Sequence, residues 1–443
     1  MMSNTPSTSS TEPVAIDTAT LRTPQMKRIL ASSFLGSAIE FYDFLLYVTA
    51  ASLVFQHIFF DNLPPAVAVF ASFGTLAAGY VARPIGGIIF GHYGDRLGRK
   101  GALVVSMVMM GLATVVIGLL PTYAQIGVAA PILLVVLRVL QGIAVGGEWG
   151  GAVLIALEHA PGGRRGFAAS FANLGAPAGA AMATAALGLA TLLPADQFQD
   201  WGWRIPFLLS AGLLAVGLFV RLKVVESPLF QTFEKEAEKR RLPIIDVFAK
   251  HWRVVVLGVL VAMSQLTISG MASAWAVNVA VTAGADSTGV LTSKTLAAVA
   301  MFVATIVGAR LCDRYGRRPI LAIGIIAAIL FAFPFVFLAQ GGTVLSFAVA
   351  VFVAQGLQGF ILGPLASFLS ELFPTAVRFT GASLCFQGAS AIGTGFTPLV
   401  AAALMTAGGT ILLGSVWVAV LVLCLIAVFI AREGRTLDLS DIH

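Results

Sequence analysis

Two carboxylates interrupt the first long apolar stretch of the chain. Glu40 and Asp43 lie three residues apart, a spacing that puts both side chains on one face of a helix. Two carboxylates held this close in a low dielectric do not readily ionise together, so one of them should hold a proton near neutral pH. The pattern favours a proton-coupling site. The alternative is a pair satisfied by the backbone and a neighbouring arginine, or one near a membrane surface.

A later apolar stretch carries Arg138 and Glu148, which lie ten residues and thus about 15 Å apart along a helix. They do not pair directly at that distance, so a carboxylate of the first stretch is the candidate partner of Arg138. Glycines flank Glu148, and they favour close helix packing as an alternative role for it. We predict that proton coupling uses the ionisable residues of both stretches, Glu40, Asp43, Arg138 and Glu148.

Arg83 precedes Pro84 in another apolar stretch. A guanidinium binds carboxylates through a planar fork, so Arg83 and Arg138 favour an anionic substrate. The alternative is an arginine that reaches the membrane surface or caps carbonyl groups freed by Pro84. The second half of the chain has polar rather than charged groups in its apolar stretches, which predicts that it contributes hydrogen bonds and shape. The predicted substrate-binding residues are Tyr42, Arg83, Arg138, Gln141, Gln265, Gln358 and Gln387.

The elements that must position these residues are membrane-spanning helices. The chain is 58% hydrophobic and 11% charged, with a mean hydropathy of +0.93, whereas soluble domains carry about 25% charged residues. A bilayer core takes about 20 apolar residues per helix. We therefore predict an all-α membrane protein with twelve transmembrane helices, at 29–56, 66–90, 102–121, 130–156, 167–193, 205–222, 254–281, 290–311, 319–339, 344–370, 379–406 and 409–431.

The predicted spans form two six-helix bundles joined by a charged linker. The expected divisions are a disordered N-terminal tail, the first bundle, the linker, the second bundle and a C-terminal tail, at 1–28, 29–222, 223–253, 254–431 and 432–443. A cytoplasmic N-terminus places 23 of the 27 Lys and Arg residues on the inner side, with Arg204 and Lys294 near the outer side. We expect a multi-pass protein of the cell (inner) membrane with both termini in the cytoplasm. The net charge of +6 then reports topology, not nucleic-acid binding.

A glycine-rich charged loop occurs in each half. Gly91–Lys100 lies between apolar stretches, and Asp313–Arg318 repeats part of it, with Asp95 and Asp313 218 residues apart. Internal repeats at half the chain length indicate a duplicated bundle. The two bundles are therefore expected to be pseudo-symmetric.

Several features argue against an enzyme or an ATP-driven pump. The first charged loop lacks the Walker pattern of a phosphate-binding loop. The five histidines lie at span ends, in loops or in the tail, and the three cysteines lack metal-ligand spacing. We expect no enzymatic activity, no metal and no cofactor.

These motifs together resemble the major facilitator superfamily. The repeated charged loop is similar to its loop motif, and Arg138–Gly142 resembles its span-4 motif associated with proton coupling. Further segments resemble one family within it, the metabolite:proton symporters. These segments are Glu40–Asp43, Arg83–Gly87, Gly146–Glu148, Trp201–Arg204 and Glu226–Pro228. The family includes carriers for shikimate, α-ketoglutarate, citrate, and proline or betaine.

The resemblance implies the major facilitator fold, in which two bundles rock around a central cavity. It also implies a cytoplasmic conformational latch at the charged loops, which holds the residues Asp95, Arg96, Arg99, Asp313, Arg314 and Arg317. In the second loop Cys312 stands where the first has Gly94, so the two turns need not share one geometry.

We expect a monomeric proton symporter in the lipid bilayer that takes up a small organic acid, a mono- or dicarboxylate. One alternative is a carrier for a zwitterion such as proline or betaine. Those carriers often extend into a C-terminal coiled coil, whereas this chain ends about a dozen residues after its last span. The other alternative is a metabolite or drug exporter, which the direction of net flux distinguishes.

Overall fold

The computed structural model of the chain describes residues 24–97, 99–146, 165–223, 247, 249–374 and 377–432. The described part is helical, and the first half consists of six long helices. They are α1 (Pro24–Leu53), α2 (Pro65–Leu97), α3 (Arg99–Leu119), α4 (Ala129–Gly146), α5 (Arg165–Ala190) and α6 (Ile205–Lys223). These helices coincide with the six spans predicted for the first half, apart from a few residues at their ends and the undescribed segment after α4.

Six further helices form the second half. They are α7 (Trp252–Thr282), α8 (Ser287–Tyr315), α9 (Arg317–Ala339), α10 (Val344–Glu371), α11 (378–408) and α12 (410–430). Gly409 separates the last two because its φ of 66° is non-helical, a conformation that glycine adopts without steric cost. Two π turns, Met271–Trp275 and Ala391–Gly395, lie within α7 and α11.

The lengths of these helices suit a bilayer. Among the described residues, nine helical segments are long and apolar enough to cross a membrane. One of them, Thr380–Ile430, has 51 residues and therefore makes two passes, through α11 and α12. The shorter apolar segment Val104–Leu119 in α3 and the alanine-rich α5 complete twelve spans.

Each half is held together by a close helix contact at a repeated glycine. A Cβ atom on Gly142 of α4 would collide with the carbonyl of Gly79 on α2, and one on Gly359 of α10 would collide with the carbonyl of Met301 on α8. Small residues let helix backbones approach in this way within a bilayer. Because Gly142 and Gly359 follow the repeated glutamines Gln141 and Gln358, the sequence repeat corresponds to a structural one.

The two halves meet along helices α1, α2 and α5 of the first half and α7, α8, α10 and α11 of the second. Thr184 of α5 and Thr191, which directly follows α5, bond the hydroxyls of Thr295 and Thr288 on α8, at 2.9 and 3.0 Å. Farther along the same interface, Asn173 Nδ2 donates to the carbonyl of Leu362 at 3.3 Å. The candidate site lies between these contacts.

Candidate functional site

A cavity between the two halves brings several predicted residues together. Its first wall comes from α1, α2 and α5, and its second wall from α7, α8, α10 and α11. The first wall is formed by Phe41, Phe44, Leu45, Tyr80, Arg83, Asn173, Ala176 and Ala180. The second wall is formed by Gln265, Leu266, Ser269, Ser273, Met301, Gln355, Gln358, Leu362, Phe386, Ser390 and Thr394.

The two walls differ in chemistry. The first wall is aromatic and carries Arg83, whereas the second carries amides and hydroxyls. No acidic side chain occurs among the described lining residues. A cavity of this kind can bind an anion through the arginine and polar groups of the same molecule through hydrogen bonds.

Arg83 is held in place by both halves of the protein. Its Nη1 donates to Ser390 Oγ of α11 at 2.8 Å. Its Cζ lies 3.9 Å from the ring centre of Phe44 and 4.3 Å from that of Tyr80, within the range of cation–π attraction. Arg83 Nε is buried and has no hydrogen-bond partner in the described structure. The guanidinium is therefore fixed in position, and its Nε donor is left unsatisfied.

Arg138 lies behind the cavity wall. Its Cζ is 3.9 Å from the Phe44 ring centre and 4.2 Å from that of Tyr47, and Nη1 donates to Gln141 Oε1 at 3.1 Å. The expected direct pairing with a carboxylate of α1 is not found among the described residues. The Phe44 and Tyr47 rings occupy the face of α1 toward Arg138, and Asp43 points elsewhere.

Asp43 faces the interior of the first half and is 3% exposed. Its Oδ1 accepts from Ser210 Oγ of α6 at 2.5 Å, and the Thr114 hydroxyl of α3 also lies within hydrogen-bonding reach. Gln141 Nε2 donates to the same Thr114 hydroxyl at 2.8 Å. Asp43 and Arg138 are thus connected through two intervening side chains, Thr114 and Gln141.

Glu40 links this buried network to the cavity arginine. It lies one helical turn before Asp43 and is half-buried. It is close enough to interact electrostatically with both Asp43 and Arg83. The two predicted coupling carboxylates therefore share an electrostatic environment with a residue of the cavity wall.

The remaining predicted substrate-binding residues divide between the cavity and other contacts. Gln265 and Gln358 line the second wall, and Gln358 Nε2 donates to Gln265 Oε1 at 3.4 Å. Tyr42 points away from the cavity and donates to the Pro206 carbonyl at 2.7 Å. Gln141 lies in the buried network, and Gln387 joins the halves by donating to the Gly146 carbonyl at 3.4 Å.

The predicted latch of the second half joins the two halves. The carboxylate of Asp313, at the end of α8, accepts from the backbone N–H groups of Gly166 and Phe167, each at 3.0 Å. These donors are at the first turn of α5, where the helix dipole favours an anion. Arg317 approaches Asp313 at 3.7 Å and pairs with Glu371 at 2.9 Å.

Of the remaining predicted site residues, one makes only a local contact and the others lie outside the described part of the structure. Arg314 contacts the ring of its neighbour Tyr315, with its Cζ 5.2 Å from the ring centre. The side chains of Asp95, Arg96 and Arg99, and the whole of Glu148, lie outside the described part of the structure.

One charged residue that was expected near the outer side is buried between the two halves. Lys294 is 2% exposed and lies in α8, where its Nζ donates to Thr49 Oγ1 at 2.8 Å and to the Ser273 carbonyl at 3.1 Å. Lys294 lies inside the predicted span 290–311, near its end, but the sequence does not show which helix of the other half covers it. Gln355 and Ser390 of the cavity wall were also missed, because polar residues in a span have no distinctive pattern.

The sequence of the chain matches a known protein family over most of its length. A family model described as Major Facilitator Superfamily matches residues 33–386 and 295–439. The chain belongs to the major facilitator superfamily. This membership confirms the predicted fold class of twelve helices in two pseudo-symmetric bundles and identifies the chain as a transporter and not an enzyme.

Relatives of this superfamily member are carriers of metabolites. The transporter is 42% identical over 417 residues to the inner membrane metabolite transport protein YhjE of Escherichia coli, covering 92% of this chain and 94% of that protein. It is 37% identical to the shikimate transporter of E. coli, with 88% and 90% covered. It is 32% identical to the proline/betaine transporter of Salmonella typhimurium, with 85% and 77% covered. These relatives confirm the resemblance to the metabolite carriers of the superfamily, among them carriers for shikimate and for proline or betaine.

Solved structures confirm the fold. The xylose transporter XylE of E. coli, in a partially occluded inward-open conformation, matches with a TM-score of 0.75 over 94% of this chain and 100% of that chain. The identity is 19%, so the likeness concerns the fold alone. This chain is a multi-pass membrane transporter of metabolites.

Proposed function

We propose that this transporter takes up a small organic anion, a mono- or dicarboxylate, together with protons. The observation that carries the proposal is Arg83 in the wall of a cavity whose described lining has no acidic side chain. Arg83 Nε is a buried donor without a hydrogen-bond partner in the described structure. A carboxylate oxygen would satisfy this donor with a charge-assisted hydrogen bond.

The opposite wall supports a substrate that carries further polar groups. Gln355 Oε1 is a buried acceptor without a partner among the described residues, and the hydroxyls of Ser269 and Ser273 lie on the same side. An amide offers both donors and an acceptor. Hydroxyl, carbonyl or second carboxyl groups of an organic acid would therefore find complementary partners there.

Proton coupling is proposed for the network behind Arg83. A protonated Asp43 donates a hydrogen bond, and an ionised Asp43 only accepts. Each protonation state therefore favours a different arrangement of Ser210, Thr114 and Gln141, which are its direct and indirect partners. Because Phe44 contacts both Arg138 and Arg83, a displacement of Arg138 would also shift Arg83, the cation that binds the substrate.

Alternating access is proposed to use the contacts at the two ends of the interface. The contact of Asp313 with the start of α5 closes one end, and Lys294 closes the other together with the threonine pair Thr184–Thr295. When a proton is bound at Asp43 and an anion at Arg83, the protein would exchange more readily between the state closed at one end and the state closed at the other. The carrier would act as a monomer, since each monomer contains the full cavity.

The proposed orientation places both termini and residues 223–253 in the cytoplasm of a bacterial cell. It rests on the distribution of Lys and Arg. Impermeant maleimide added outside intact cells should label a cysteine at Asp286 and leave one at Glu238 unlabelled. The opposite labelling pattern would invert the assignment of every loop.

Uptake into proteoliposomes tests the transport proposal. The purified protein is reconstituted, and a pH gradient (acidic outside) is imposed in the presence of labelled shikimate, α-ketoglutarate, proline or betaine. We expect at least one acid to accumulate, and a protonophore to abolish the accumulation. Accumulation of the zwitterions alone would contradict the anion proposal, and gradient-driven export would favour an exporter.

A zwitterionic substrate is the second candidate. The aromatic residues Phe41, Phe44 and Tyr80 line the cavity, and aromatic faces bind quaternary ammonium groups. The Phe44 and Tyr80 rings already contact the Arg83 guanidinium, however. Because these faces are occupied by a cation, the geometry favours an anion over betaine.

A further inference from the structure

Lys294 is a buried cation that has only a closing contact in the proposed transport mechanism and no contact with the substrate. Its ammonium group has three donors, and two of them bond neutral oxygens, Thr49 Oγ1 at 2.8 Å and the Ser273 carbonyl at 3.1 Å. The Thr49 hydroxyl donates its own proton to the Leu45 carbonyl at 2.9 Å, so it can only accept from Lys294. No carboxylate of the described residues pairs with the ammonium group.

Lys294 lies at the margin of the substrate cavity. Ser273 lines the cavity, as does Leu45, one helical turn before Thr49 on α1. Thr49 follows Phe44, the ring that contacts Arg83, by five residues, which is about 7.5 Å along α1. The two cations are therefore arranged along one helix, with Lys294 nearer the end that the proposed orientation places outside.

The contacts of Lys294 cross the boundary between the halves. Thr49 belongs to the first half, whereas Lys294 and Ser273 belong to the second, and Ser273 lies in the π turn Met271–Trp275. Such turns occur frequently at functional sites. When the halves separate at this end, the ammonium group loses Thr49 and faces the opening, with a second donor free.

The positive charge of Lys294 lies close to outer loops that are negatively charged. The outer loops carry four exposed carboxylates, at Asp61, Asp196, Asp200 and Asp286, which repel an approaching anion. Arg204, another cation at this end, donates to the carbonyls of Gly118 and Leu120 at 3.0 and 2.6 Å and is thereby engaged within the first half. Lys294 is available between the acidic loops and the cavity.

We propose that Lys294 is a second substrate-binding cation, which holds the carboxylate of an incoming organic anion while the outer side is open. The anion then passes to Arg83, and the bond between Lys294 and Thr49 re-forms as the halves close behind it. This inference rests on the proposed anion transport and adds a binding point on one side of the membrane only.

The test measures affinity separately from each face. Uptake of labelled shikimate and α-ketoglutarate is measured in right-side-out and inside-out membrane vesicles that contain wild type, Lys294→Gln or Lys294→Arg. In right-side-out vesicles, Lys294→Gln should raise KM about tenfold, the loss expected for one charge-assisted hydrogen bond. Lys294→Arg should keep KM within about threefold of wild type, because the charge is retained.

Sidedness distinguishes a binding role from a structural one. In inside-out vesicles KM should be unchanged by Lys294→Gln. Since the transport cycle must balance thermodynamically, the loss should appear from that face as a lower maximal rate. A substitution that only disturbed the structure would change the KM measured from both faces alike, and that outcome would overturn the proposal.

Thr49→Val is the matched control. It removes the same contact between the halves but keeps the ammonium group, so its KM should stay near that of wild type. Equal KM changes in Thr49→Val and Lys294→Gln would show that only the contact matters and would overturn the inference. If wild type transports an acid and Lys294→Gln has an unchanged outer KM, this inference alone fails. If wild type takes up betaine and neither acid, the proposed function fails with it.

Discussion

The Phe44 ring contacts the guanidinium groups of Arg83 and Arg138, with 3.9 Å from its centre to each Cζ. One of these arginines lines the cavity, and the other belongs to the network that ends at Asp43. A rigid ring between two cations transmits displacement, because neither guanidinium can move far without losing its cation–π contact. At the scale of residues, this shared ring connects the proposed substrate site to the proton site through packing, beside the electrostatic connection through Glu40.

The first prediction concerns the proton site. Asp43→Asn keeps the shape of the side chain but fixes it in an uncharged form. Accumulation of labelled substrate under a pH gradient should be abolished, while counterflow exchange should stay within about threefold of wild type, since exchange needs no net proton release. Both quantities are measured in the same proteoliposomes.

Glu40→Gln is the control for this prediction. It makes the same chemical change three residues earlier on the same helix, at a half-buried position, and it should reduce accumulation less. Normal accumulation by Asp43→Asn would remove Asp43 from the coupling mechanism.

A second prediction concerns Arg83. Arg83→Lys should raise KM for the transported acid about tenfold or more, because an ammonium group lacks the planar fork of a guanidinium. Arg83→Ala should raise it further. The melting temperature in detergent, measured on the same preparations, should stay near that of wild type for both variants.

Ser390→Ala provides the comparison for Arg83. It removes the 2.8 Å bond that fixes the guanidinium but leaves the charge, so its effect on KM should be smaller. If the Arg83 variants melt early and still bind the acid normally, the arginine is structural and the preference for anions has no support.

At the scale of helices, hydropathy predicted where the spans lie but not how they rotate. The break between α11 and α12 at Gly409 falls within a few residues of the predicted division between the spans 379–406 and 409–431. Rotation was harder, since lipid-facing and interior side chains are both apolar. Tyr42 therefore entered the expected binding set, whereas its neighbours Phe41 and Phe44 line the cavity.

Two glycines of α10 test how much helix contacts contribute to stability. Gly359→Ala would place a methyl group against the backbone of Met301, so it should destabilise the protein by about 1–3 kcal/mol. Gly356→Ala, one turn earlier, meets no atom within 4 Å. It should be neutral or slightly stabilising.

The measurement is the melting temperature of the two purified variants in one detergent. A clear loss for Gly359→Ala beside an unchanged Gly356→Ala would support the close contact. Equal melting temperatures would show that α8 and α10 move apart at little cost, and that the close contact contributes little to the stability of the protein.

At the scale of the whole molecule, the repeat predicted two bundles but not what each contributes at their interface. Gln141 and Gln358 occupy equivalent positions, yet one lies in a buried network and the other lines the cavity. Lys294 was assigned to the outer side, because composition alone does not show that a residue near a span end is covered by the opposite half. Such placements depend on contacts between helices far apart in sequence.

The contact of Asp313 with α5 yields a prediction for the conformational equilibrium. Its carboxylate at the α5 N-terminus holds the inner end closed in the proposed orientation. Asp313→Asn removes the negative charge, which contributes about 0.3–2 kcal/mol at such a site. Loss of this contact disfavours the outward-open state, which needs a closed inner end, so states with a closed outer end should become more populated.

Disulfide formation at the outer end measures this shift. Thr184 and Thr295 lie with their hydroxyls 2.9 Å apart across α5 and α8, so cysteines at both positions can bond when the outer end is closed. With the three native cysteines replaced, Asp313→Asn should raise the rate of disulfide formation about threefold or more, within the range expected for this charge. Asp286→Asn is the control, because Asp286 caps its own helix α8 by accepting from Gly289 N at 2.7 Å and forms no hydrogen bond or ion pair with the described residues of the first half. If both variants form the disulfide at the wild-type rate, Asp313 does not bias the equilibrium, and the closing force at the inner end must come from other contacts between the halves.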